Sequence, residues 1–124
     1  PTDHVPVVLF LARRTGVSPD VLVSRHRRGR SWAEVGERLG LDAGAFHVPL
    51  PEDASLGPLA AAYRRFASTP ASGWSSIDLS DRDVVALVNI RFLGAVLAVP
   101  PARILEVAAR AGSFVTAYRV LHRR

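Results

Sequence analysis

Sliding the sequence along itself by 82 positions without gaps lays Phe10 on Phe92, Leu11 on Leu93, Val17 on Val99, Pro19 on Pro101, Arg28 on Arg110, Ser31 on Ser113 and Leu39 on Leu121. Conservative matches fill the intervals: Val5 with Leu87, Val8 with Ile90, Leu22 with Ile104, Val23 with Leu105 and Trp32 with Phe114. The matches fall on helix punctuation and on apolar faces, so any fold must accommodate two similar units, residues 5–39 and 87–121, within one short chain. At 124 residues the chain fits one domain, long enough to build a core without staples or metal.

Start and stop signals divide each copy into three helices. In the first, Asp3 is placed to cap a helix ending near Thr15 and Gly16. Ser18 and Pro19 open a second, which Gly29 stops in a left-handed conformation. Ser31 and Glu34 form a capping box for a third, whose stripe is Trp32, Val35 and Leu39 and whose end is Gly40. In the second copy Ser80 and Asp83 make an N-terminal box for a helix from Asp81 to about Ala98. That helix is apolar on nearly every side, the mark of a buried centre. Pro101 restarts the chain, Gly112 stops it and Ser113 caps the last helix.

Residues 47–80 link the copies. Prolines 49, 51 and 58 predict an extended loop, with a short extended stretch around 46–50, and Pro58 opens a bridging helix over about 58–67. A second loop over 69–79 carries Trp74, either pinned on the core or exposed at a contact. The expected fold is therefore all-α: two related three-helix units in a single domain.

Composition excludes more than it assigns. With no Cys there is no disulfide scaffold, Cys-ligated metal or Cys nucleophile. Net charge is +5, and all 16 basic residues are Arg. The chain also lacks Lys, Met and Gln and has one Asn, a pattern of GC-rich coding, so its charge is weak evidence for an acidic partner. No uninterrupted apolar run reaches the length of a membrane span. The chain has no initiator Met and no signal peptide at Pro1, so it is expected to derive from something longer.

Two resemblances stand beside this. The run VPVVLFLARRTGVSPDVLVSRHRRGRSWAEVGERLGL, then FHVPLP, GPLAAAYRRF, LSDRDVVALVNIRFL and AGSFVTAYR, resembles a family of bacterial proteins without assigned activity, many of which look exported. It covers residues 5–119 and implies an exported or periplasmic protein with a related unit ahead of Pro1. It brings no catalytic or binding residues, and the chain departs from the pattern over 57–63, where alanines replace aromatic and glycine positions. Residues 31–41, with Gly36, Gly40 and Phe46, resemble the first helix and turn of a helix-turn-helix. The second helix would start near Asp42 and meet Pro49, too short to read a major groove.

Four sites follow. Arg25, Arg27, Arg28 and Arg30 cluster at a helix end, where they could hold phosphate or carboxylate or could simply be a solvated cap. Trp74 and Tyr63 are candidate partner contacts. His4, His26, His47 and His122 lack metal-ligand spacing, and Ser, His and Asp occur without a nucleophile elbow, so no metal, cofactor or catalytic residue is expected. Asn89, amid Val85, Val88 and Ile90, is expected to be a satisfied core amide, because burial without partners costs about 1–3 kcal/mol. The resulting expectation is a non-catalytic structural or protein-binding module, with a protein partner or self-association ahead of nucleic acid, and a basic nucleic-acid-binding module as the alternative.

Overall fold

A computed structural model describes residues 2–123. Its helices are α1 (Val5–Thr15), α2 (Pro19–Arg27), α3 (Trp32–Glu37), α4 (Ala43–Phe46), α5 (Ala60–Ser68), α6 (Asp81–Leu97), α7 (Pro101–Ala111) and α8 (Phe114–His122). Short 3-10 turns occupy Thr2–His4, Gly57–Leu59 and Ala71–Ser76, and no strand occurs among the described residues. The fold is all-α. The extended stretch expected around 46–50 forms no ladder: Phe46 closes α4, and Pro49 and Pro51 offer no N–H for pairing.

The molecule is organised by α6. Ser80 Oγ accepts the Asp83 N–H and Asp83 Oδ2 accepts the Ser80 N–H, both at 3.1 Å, which satisfies two orphan donors reciprocally. Ten of the seventeen residues of α6 are buried, including an unbroken run from Asp83 to Ile90. A helix buried on all faces needs cover on all faces, and α1, α3, α4, α7, α8 and the turn at Gly57–Leu59 supply it. Leu11, Leu22, Val35, Phe46, Leu59, Leu87, Ile90 and Ile104 form one continuous core. Gly94 lets α7 approach after a bend of 113°; a Cβ there would lie 3.0 Å from the Val99 carbonyl.

Landmarks coincide at the 82-residue offset. Helices α2 and α7 start at Pro19 and Pro101, and α3 and α8 at Trp32 and Phe114. Ser31 and Ser113 precede the latter pair, and each hydroxyl accepts the N–H three residues on at 3.1 Å. Gly16 and Ala98 both take left-handed φ, 76° and 53°, after α1 and α6. Leu11 and Leu93, Leu22 and Ile104, and Val35 and Ala117 are buried pairwise. Departures are also plain: α6 begins six residues ahead of the position matching Val5, and Phe92 is exposed where Phe10 is half-buried.

Two expected caps are reassigned. Asp3 does not cap α1, which starts after His4 with no side-chain cap. Its carboxylate instead accepts the N–H groups of Phe114 and Val115, each at 3.2 Å, at the start of α8. The Ser31–Glu34 box is only half made, because the Glu34 carboxylate turns to Arg38 (3.4 Å) and Arg30 (3.9 Å). Asp81 supplies a further cap, accepting the Trp32 N–H through Oδ1 at 2.6 Å. Asn89 is a satisfied core amide, as its surroundings demand: Nδ2 donates to the carbonyls of Asp3 and Val85, both at 2.8 Å.

Candidate functional site

The arginine cluster does not converge. Arg27 and Arg28 are exposed and share a shallow depression with Val23, Ser24 and Asp20, so a carboxylate lines the place where an anion would bind. Arg30 is drawn to Glu34, and Arg25 is half-buried. These positions suit cations near the negative end of α2.

Tyr63 and Trp74 turn inward rather than outward. The Tyr63 hydroxyl donates to the Val48 carbonyl, and burial first of all pushes its pKa up to about 12. Trp74 Nε1–H is shared between the carbonyls of Thr69 (2.9 Å) and Phe66 (3.2 Å). With Phe66 they box His47, whose ring centroid lies 4.5–5.6 Å from the three aromatic rings. The four side chains fasten His47 and the turn at Ala71–Ser76 to α5, and acceptors close in sequence explain why Trp74 folds back.

The helix-turn-helix resemblance stops at the turn. Helix α4 has four residues, Ala43 and Phe46 are buried, and Trp74 lies over Gly44. The helix directly after the turn is therefore too short to lie in a major groove.

Spacing alone did not foreshadow a polar node joining residues far apart in sequence. His26 stacks on Trp32 (centroids 4.0 Å, planes within 4°) and donates from Nε2 to Asp81 Oδ2 at 2.7 Å. Trp32 Nε1–H donates to His4 Nδ1 at 2.9 Å. An indole N–H can only donate, so His4 Nδ1 carries no proton, and burial first of all lowers its pKa. Asp81 has one partner for each oxygen, and the nearby Ser113 hydroxyl donates to Thr116 Oγ1 at 2.9 Å. The three hydrogen bonds among His4, His26, Trp32 and Asp81 tie the first turn, α2, α3 and α6 together. No set of three His, Asp or Glu side chains is disposed to hold a metal among the described residues.

The unspent surface is apolar and lies between α1, α6 and α8. Val5 (53% exposed), Leu9 (53%), Phe92 (44%) and Val96 (55%) stand out on neighbouring helices. They line two adjoining grooves that share Pro6 and Phe92. One, of about 350 Å³, runs toward Phe114 and Tyr118; the other, of about 520 Å³, runs toward Phe10, Arg13 and Arg91. Arg91 is half-buried and gives an N–H to the His47 carbonyl at 2.6 Å. Burial, then the Arg14 charge, lowers its pKa. A clue to this face lay in α6 itself, since a long helix apolar all round exposes whatever its shorter neighbours fail to cover. No single helix is long and apolar enough to cross a membrane among the described residues.

Comparison of the chain with protein-family models, curated proteins and solved structures finds no match.

Proposed function

We propose that the chain is a non-catalytic protein-interaction module whose contact face is the apolar groove between α1 and the C-terminal half of α6. The observation that carries this is the quartet Val5, Leu9, Phe92 and Val96, four large side chains left in water on adjoining helices. Contiguous apolar surface of this kind costs solubility unless a partner covers it, and aromatic residues at its centre supply most of the binding energy. The hydrogen bonds by which His4, His26 and Asp81 join separate helices support a structural role for groups that would otherwise suggest chemistry. The matched helix starts and caps at the 82-residue offset support a duplicated three-helix unit as the origin of the scaffold.

A photo-crosslinking residue placed at Leu9 or at Phe92 in cells producing the protein is expected to give adducts of defined mass, whereas the same residue at Arg27 or Asp53 gives none. Absence of adducts from the groove, or an equal pattern from all four positions, rejects the proposal. A duplex-DNA titration separates the nucleic-acid alternative, which requires salt-sensitive binding that weakens on removing Arg27 or Arg28.

A further inference from the structure

The groove has a cationic end, and the geometry points to an acidic amphipathic helix as its occupant, an inference that rests on the groove being a protein-binding face. Arg13 and Arg91 line the same cavity as Leu9 and Phe92. The guanidinium carbons of Arg14 and Arg91 stand 5.3 and 5.4 Å from the centre of the Phe10 ring, gathering positive charge beside apolar surface. Among the described residues Arg13, Arg14 and Arg91 pair with no carboxylate, a property they share with other arginines. What sets them apart is that they gather at one end of an apolar groove. Arg91 is fixed by the His47 carbonyl, and Arg13 and Arg14 stand at the C-terminal turn of α1, so the cationic end of the groove is held in place with no carboxylate of its own.

The shape specifies the rest of the partner. Val5, Leu9 and Arg13 form an i,i+4 row on α1, and Phe92 and Val96 form another on α6. A concavity between two such ridges receives a ridge of a third helix. Apolar anchors at i, i+4 and i+7 would seat over Leu9 and Phe92, with carboxylates about one turn further on reaching Arg13 and Arg14. A second copy of this chain fits poorly: it would bring the same arginines to the face, the net charge is +5, and the Asp3 carboxylate at the groove's other end is committed to α8. A membrane surface is a weaker fit, because Leu9 and Phe92 line a cavity between two helices and do not form the single apolar face of one amphipathic helix.

The test is selection of helix-forming peptides from a displayed random library against the intact protein, followed by anisotropy titration of the selected peptides. The expected binders carry the apolar i, i+4, i+7 pattern and at least two Asp or Glu, and bind more weakly as salt rises. Arg13→Gln and Arg14→Gln each weaken them about two- to fivefold. Leu9→Glu or Phe92→Glu abolishes binding while circular dichroism stays unchanged. Binders that lack carboxylates, or that ignore the arginine variants, overturn the acidic partner and leave the groove reading standing. So does a dimer in sedimentation that Leu9→Glu abolishes, which makes the occupant a second copy. Binding to anionic vesicles that Arg13→Gln abolishes, with no selected peptide, overturns the inference in favour of lipid. If no interaction depends on Leu9 or Phe92, the groove reading falls as well.

Discussion

The Asp3 carboxylate accepts the backbone N–H of Phe114 at 3.2 Å, so a residue at the head of the first turn caps a helix that begins 111 positions later. The same short turn makes two more ties: the Asp3 carbonyl accepts from Asn89 on α6, and His4 accepts from Trp32 on α3.

Removing the cap isolates its worth. Asp3→Ala should destabilise the protein by about 1–2 kcal/mol, the usual cost of losing an N-terminal cap, here with two donors orphaned. Asp3→Asn, which keeps an acceptor, should recover about half of that. Urea denaturation of both variants decides; an alanine variant as stable as the parent would show that water serves α8 equally well.

Stability should fall in mild acid. His4 is held below its ordinary value of 6.5, by burial first, in the company of His26, Asp81 and Asp3. His47 is lowered too, by burial and then by Arg91. As pH drops through 6.5 the unfolded chain takes up protons at these rings before the folded chain does, so folding loses ground. Above that range both states are neutral at these sites and the effect vanishes. Denaturation midpoints measured from about pH 5 to 8 should rise with pH and then level off, and the combined variant His4→Gln, His47→Gln should flatten the slope. A parent profile already flat there contradicts the account.

Ala98 occupies the left-handed region at φ 53°, where its offset counterpart Gly16 sits at 76°. An L side chain is strained there, so Ala98→Gly should stabilise the protein by about 1 kcal/mol and raise the thermal midpoint by about 4 °C. Calorimetry checks this directly, and an unchanged or lower midpoint would mean that the Ala98 methyl group contributes packing that outweighs its strain.

Neighbours on α6 should respond in opposite ways. Leu93 is 6% exposed and Phe92 is 44% exposed. Leu93→Ala should cost about 2–5 kcal/mol, while Phe92→Ser should change stability by less than about 1 kcal/mol. Comparable losses from both would place Phe92 inside the fold and remove the centre of the groove.

What could be read from the residues was what local rules govern. Pro19, Pro101, Ser31, Ser113 and Ser80 open helices as their chemistry requires, and the apolar run after Asp83 marks the buried centre. Asp3 reads as a cap for α1 because a cap is recognised by proximity in sequence, whereas Phe114 becomes its neighbour only once α1, α6 and α8 have packed. Trp74 and Tyr63 attract attention as large aromatics, yet the nearby carbonyls of Thr69, Phe66 and Val48 capture their polar atoms. The His4–His26–Trp32–Asp81 node and the α1–α6 groove depend on which helices meet, and no periodicity within a single helix encodes that.

The three ties of the first turn bear on how the chain would yield to mechanical load. A force pulling on Thr2 would not peel α1 away residue by residue, because Asp3 and His4 pass the strain at once to α8, α6 and α3. Rupture would then begin with the simultaneous shearing of several hydrogen bonds.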